Sequence, residues 1–169
     1  MLHHQPLHEV WPLMKSVLVV CLGNICRSPM AEGAVRKALE GAGFSDITVD
    51  SAGTSGWHEG GSPDPRAVKA ALMRNIDIAH QRARQITGDD FHRFGLILAM
   101  DGQNYARLQA MQPQVSPANV RMFMEFAGEI PVREVPDPFE GREEDFDHAL
   151  DLIELAAKGL ADHMAAASG

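Results

Sequence analysis

The sequence predicts a single α/β domain, a four-stranded parallel sheet flanked by helices on both faces. Three observations predict it. Short β-branched apolar runs alternate with helical patterns along the chain, as a parallel sheet with helical crossovers requires. The first run, SVLVV at 16–20, is apolar on both faces, which suits a strand covered on both sides. The 169 residues are 45% apolar and 22% charged, enough to bury one continuous core and too apolar for a disordered chain.

Residues 1–15 read as an irregular leader. It holds two prolines, and its His3, His4 and His8 have no acidic or cysteine partner at a convincing metal-ligand spacing. After SVLVV comes a helix with Pro29 in its first turn and Gly41 and Gly43 closing it. DITVDSAG (46–53) is the second strand. The loop GTSGWHEGGSP (53–63) is of the kind that carries function, and it leads into the helix DPRAVKAALMRN (64–75), with Asp64 as N-cap and Pro65 at the first helical position. FGLILAM (94–100) is the third strand, DGQNYARLQAM (101–111) the next helix and NVRMFMEF (119–126) the fourth strand. In the last helix Phe146, Ala149, Leu150, Ile153, Ala157 and Leu160 form one stripe at helical spacing. The domain is thus expected over 16–165, with 166–169 a short tail.

A net charge of −8 argues against a surface built to neutralise a nucleic-acid backbone. It leaves room for a single phosphate group, because exposed charges beyond about 10 Å are largely screened. No apolar stretch approaches the roughly 20 residues of a membrane helix. The leader lacks the long apolar core and cleavage site of a secretory signal. The cytoplasm is therefore the expected compartment, with no membrane contact and with thiols kept reduced.

Both cysteines of the chain fall within VCLGNICRSP, between the first strand and the first helix. As a zinc site the pair fails on count: Cys21 and Cys26 are five apart and no second pair exists. A disulfide is disfavoured by compartment and by the strain of so small a loop. A nucleophile fits. A cysteine at a strand end just before a helix faces unpaired backbone N–H groups and the positive end of the helix dipole, and Arg27 adds a cation whose planar fork matches two phosphate oxygens. Such surroundings favour thiolate over thiol. Gly23 lets backbone approach an anion, and Asn24 tolerates left-handed dihedrals. The bland alternative is an inert buried cysteine.

VCLGNICRSPMAEG resembles the phosphate-binding loop of the low-molecular-weight protein tyrosine phosphatase family. The likeness continues through DSAGTSGWHEGGSPDPRAV, AHQRARQI, ILAMDGQN and VPDPFEG, from Val17 to about Leu160. It implies a four-stranded parallel sheet and hydrolysis of phosphate monoesters without metal or cofactor. By that resemblance Cys21 attacks phosphorus, while Arg27 and the loop Leu22, Gly23, Asn24, Ile25 and Cys26 hold the phosphate oxygens. Asp137 is the general acid and then the base; without the family, an Asp between Pro136 and Pro138 reads as a turn former. Ser28 donates to the sulfur. Ser51 and His80 brace Asn24. Asp101 either caps a helix or acts electrostatically near the loop. Trp57 and Phe139 wall the entrance, so that a phosphotyrosine reaches the sulfur and a short phosphoserine does not. Phe139 and Glu140 stand where many relatives carry tyrosines. Cys26 can trap an oxidised Cys21 as a disulfide, or simply fill the loop.

The partners implied are a tyrosine-phosphorylated protein or a small aryl phosphate, with inorganic phosphate or vanadate as inhibitors. Three other readings share the residues. A protein-arginine phosphatase branch resembles GNTCRS, with threonine in place of Ile25. An arsenate reductase of this fold needs further cysteines, or an external thiol. A non-catalytic phosphotyrosine-binding adaptor has no use for Cys21, Arg27 and Asp137 together.

Overall fold

The protein is described by a computed structural model covering residues 15–168; the three leader histidines lie outside the described residues. The element order is β1 (Ser16–Cys21), α1 (Arg27–Gly41), β2 (Thr48–Gly53), α2 (Pro65–Leu72), α3 (Asp90–Arg93), β3 (Leu96–Ala99), α4 (Gly102–Met111), β4 (Asn119–Met122) and α5 (Glu143–Ser168). The four strands form one sheet in the order β2-β1-β3-β4, parallel throughout.

Alternation along β1 explains why it reads as apolar on both faces. Val17, Val19 and Cys21 face a core built from α1, α2 and α5, including Met30, Val35, Ala67, Phe146 and Leu150. Leu18 and Val20 face Phe91, Phe94 and Leu108 from the α3 and α4 side. Chain direction reverses at β1: α1 leads to β2 on one flank, and the next crossover lands β3 on the other. In open α/β sheets that switch point, at the carboxyl ends of the strands, is where ligands bind. Cys21 is the last residue of β1 and sits there.

Helix α1 ends as its glycines predict. Gly43 takes φ +90, and Phe44 N–H donates to Leu39 O at 2.8 Å, closing the last turn. Beyond shifts of two or three residues at element ends, three features differ from the sequence reading. The fourth strand stops at Met122, and Phe123–Ala127 forms a 3₁₀ turn instead. The reason is tertiary: the turn brings Phe123, Met124 and Phe126 into the one core that α5 shares, and all three are buried there. Of the short tail expected at 166–169, residues 166–168 continue α5, which runs to Ser168. The four-residue α3 was not anticipated; it buries Asp90 and Phe91. Among the described residues no helix is long and apolar enough to cross a membrane, and no cluster of three metal-ligating side chains occurs.

Candidate active site

The turn after β1 wraps its backbone around one sulfur. Asn24 adopts φ +56, the left-handed region its side chain tolerates, and this brings its own N–H to 3.3 Å from Cys21 Sγ. Helix α1 then begins with no side-chain cap and no acidic residue in its first turn, so its free N–H groups face whatever occupies the cup. Gly53 supports the cup from β2. A Cβ there would lie 2.7 Å from Leu22 O and 3.1 Å from Asn24 N. At Gly23 a Cβ would meet the His58 ring at 3.0 Å, so that glycine makes room for a side chain of the cleft wall.

A chain of hydrogen bonds fixes the cup, and its polarity can be read. The Arg84 N–H, which can only donate, bonds to Asn24 Oδ1 at 3.0 Å, so the other end of that amide is the donor. Asn24 Nδ2 donates to Ser28 Oγ at 2.8 Å and to Ser51 Oγ at 3.0 Å. Ser51 passes its proton on to Glu32 Oε1 at 2.8 Å. Ser28 accepts from Asn24, and its own proton can go to Cys21 Sγ at 3.0 Å or to Ala52 O at 3.4 Å, the sulfur being nearer. The shorter contact lets the hydroxyl donate to the sulfur. Burial pushes the Glu32 carboxyl up, opposed by the Ser51 and Arg36 contacts.

Arg27 is buried to 3% exposure beside this cup. Its Nη1 donates to Asp101 Oδ2 at 2.7 Å and to Val135 O at 2.9 Å. Asp101 Oδ1 also accepts the Asn104 N–H at 2.8 Å, so this residue is both the cap of α4 and the partner that aims the guanidinium. The two accounts of Asp101 are both correct. Asp137 Oδ2 lies 3.6 Å from Arg27 Nη2, and its other oxygen accepts the Phe139 N–H at 3.1 Å in a tight turn.

These groups line one cleft of about 480 Å³, its open mouth included, with Cys21, Cys26 and Arg27 at the base and Trp57, His58, Asp137 and Phe139 at the wall. Trp57 is 79% exposed, a large aromatic with nothing covering it. Cys26 is buried; burial pushes its thiol up, and the negative charge of Asp64 adds to this. It stays protonated where Cys21 is offered amides, a hydroxyl and a guanidinium.

The sequence model described as low molecular weight phosphotyrosine protein phosphatase matches residues 16–168. The chain belongs to that family. It is 41% identical over 147 residues to the low molecular weight phosphotyrosine protein phosphatase of Schizosaccharomyces pombe, a match covering 85% of this chain and 94% of that one. Among solved structures, a protein tyrosine phosphatase from Entamoeba histolytica superposes with TM-score 0.82 at 36% identity, covering 86% of this chain and 93% of that one. A Drosophila arginine phosphatase gives TM-score 0.82 at 28% identity, over 87% and 96%.

Of the residues that the phosphatase resemblance picks out, Cys21 to Ser28, Ser51, Trp57, Asp137 and Phe139 converge on this cleft or brace it. His80 does not. It is exposed, and Asn24 Oδ1 accepts instead from the Arg84 N–H. The residue that turns inward is its neighbour Gln81, whose Nε2 donates to Pro29 O at 3.1 Å. Arg84 is held in place by Asp50 and the buried Asp90, each at 3.0 Å. Glu32, Arg84 and His58 went unread in the sequence. Glu32 carried a faint signal, an acid on the helix face that also carries buried Ser28; Arg84 and His58 carried none.

Proposed function

We propose that this phosphatase-family chain hydrolyses aryl phosphate monoesters, phosphotyrosine in proteins above all, through a phosphocysteine intermediate. The observation that carries the reading is one buried sulfur, bonded by a hydroxyl and a backbone amide, with a guanidinium and a carboxyl at the same cleft. Cys21 attacks phosphorus in line as the ester oxygen departs. Arg27 and the loop amides stabilise charge on the equatorial oxygens. Asp137 gives its proton to the leaving oxygen, then takes one from the water that cleaves the phosphocysteine. Ser28 stabilises the sulfur when it is expelled as thiolate. Inorganic phosphate, the product, and vanadate, its analogue, would occupy the same cup as inhibitors.

The walls argue for an aromatic substrate. The sulfur is buried, while Trp57 and Phe139 stand 79% and 46% exposed above it. A flat ring stacks there and reaches down; a phosphoserine would have to carry its backbone into the cleft. Ile25, in the lining, offers an apolar contact to a phenyl ring and no hydroxyl to a guanidinium. A panel of matched peptides tests this: phosphotyrosine should be cleaved, phosphoserine spared and phosphoarginine poor. Preference for phosphoarginine, or reduction of arsenate with an added thiol in place of hydrolysis, would reassign the substrate.

Cys26 fits a protective role in a reducing, cytoplasmic setting. Peroxide converts the Cys21 thiolate to a sulfenic acid; the Cys26 thiol then attacks that sulfur, forming the disulfide and releasing water. Both sulfurs border the one cleft, and both are free. After a peroxide pulse and added dithiothreitol, the parent should regain activity and Cys26→Ser should stay inactive. Equal recovery would leave Cys26 a packing residue.

A further inference from the structure

Asp137 lies in a stretch with no helix or strand to hold it: residues 128–142 carry neither. A proton donor must sit within about 3 Å of the leaving oxygen, so something has to fix its reach from the sulfur. The upstream side is fixed by the cup itself. Val135 N–H donates to Met100 O at 2.8 Å, and Val135 O accepts from Arg27. The downstream side is fixed by a residue that the catalytic scheme does not use.

That residue is Arg66, in the first turn of α2. Its Nη2 donates to Phe139 O at 2.8 Å and its Nη1 to Gly141 O at 3.0 Å, two and four residues past Asp137. The same guanidinium grips Asp64, with Nε to Oδ1 at 3.1 Å and Nη2 to Oδ2 at 2.9 Å. It lies 4.5 Å from the Phe146 ring centroid and 5.9 Å from that of Phe139. Asp64 in turn is tied to the phosphate loop, because its own N–H donates to Ile25 O at 2.8 Å. An unbroken path therefore runs from the loop beside Cys21, through Asp64 and Arg66, to the backbone just past Asp137. An exposed ion pair alone would be worth little. A fork that spans a carboxylate and two carbonyls while resting over an aromatic ring is a different object, since it fixes a distance. The Arg66 contact holds the Asp64 carboxyl below its usual range, which favours the charged pair.

The geometry points to Arg66 as a positioning residue for the acid step: it sets the reach of Asp137 over Cys21. This rests on Asp137 being the proton donor, and the test separates the two ideas. We would measure kcat/KM for phenyl phosphate, a poor leaving group, and para-nitrophenyl phosphate, a good one. Asp137→Ala should cost about 10²–10⁴-fold on the first and far less on the second. Arg66→Met should show the same selectivity, with a loss at least about tenfold larger on phenyl phosphate, while iodoacetate alkylates Cys21 at the parent rate. In the Asp137→Ala background Arg66→Met should add no further selectivity, because it acts through a group already gone.

Equal losses on both substrates, or selectivity that persists without Asp137, would overturn the role of Arg66 and leave the acid assignment standing. If Asp101→Ala and not Asp137→Ala is selective, the acid assignment falls and this inference with it. Arg66→Lys keeps a cation over the rings but cannot reach Asp64 and two carbonyls at once. It should melt like the parent and still be selective, and it decides the matter if the methionine variant does not fold.

Discussion

Replacing Cys21 by serine should give a folded protein that binds inorganic phosphate and turns over aryl phosphates at least about 10⁴-fold more slowly, the scale on which losing a nucleophile acts. The size of the effect follows from what surrounds the sulfur. Its bonded neighbours are the Ser28 hydroxyl and the Asn24 N–H, and Asn24 feeds its own donor into Ser28, so both present hydrogens to position 21. Neither bonded group is a base that could take its proton. Donors and a cation favour a thiol's anion, whereas a hydroxyl needs a base, and neither group bonded to position 21 is one. Stopped assays with para-nitrophenyl phosphate and calorimetric titration of phosphate would check both halves. Activity above about 1% of the parent would mean the attacking atom lies elsewhere; lost phosphate binding would mean the cup needs the sulfur to form.

Changing Gly159 to alanine should destabilise the fold by about 3–5 kcal/mol. Propensity alone predicts the opposite sign, because alanine is better than glycine in a helix interior by about 1 kcal/mol. Close approach decides it. A Cβ at Gly159 would sit 1.6 Å from Phe126 O and 2.7 Å from its carbonyl carbon, both backbone atoms of the 3₁₀ turn that cannot rotate aside. Either α5 moves off the sheet or the turn that buries Phe123 and Phe126 unpacks. Against a net stability of about 5–15 kcal/mol that is a large share. Thermal melts should show Tm lowered by roughly 10 °C, with kcat/KM of the folded fraction kept, since neither residue lines the cleft. Gly41→Ala, where a Cβ meets nothing within 4 Å, is the control and should be neutral or stabilising. A neutral Gly159→Ala would show that the helix and turn slide apart at little cost.

The architecture was legible because each local signal agreed with the whole. The both-sided apolar run of β1, Asp64-Pro65 opening α2 and the glycines closing α1 all act over a few residues, and all were found where the sequence placed them. The cup was legible for the same reason: cysteine, glycine, left-handed asparagine and arginine all fall between positions 21 and 27. What went unread depends on contacts across the chain. Arg84 reaches Asn24 across 60 positions, and it does so with a backbone amide, which no side-chain pattern announces. His80 was named because it matches a position in the family resemblance, yet the turn there points it outward and Gln81 inward; a one-residue difference in an irregular segment has no periodicity to fix it. The end of β4 failed similarly, because Met122 to Phe126 look the same as a strand or as a packed turn until α5 is in place.

Helix α1 starts without a cap of its own. If the cup holds phosphate as proposed, the anion supplies that missing end, and occupancy and folding become one equilibrium. By mass action a free ligand at 100 times its Kd adds about 2.7 kcal/mol to the folded state. The product of each turnover is then also a temporary structural part of the molecule, and inhibition by phosphate and protection by phosphate are the same event seen from two sides.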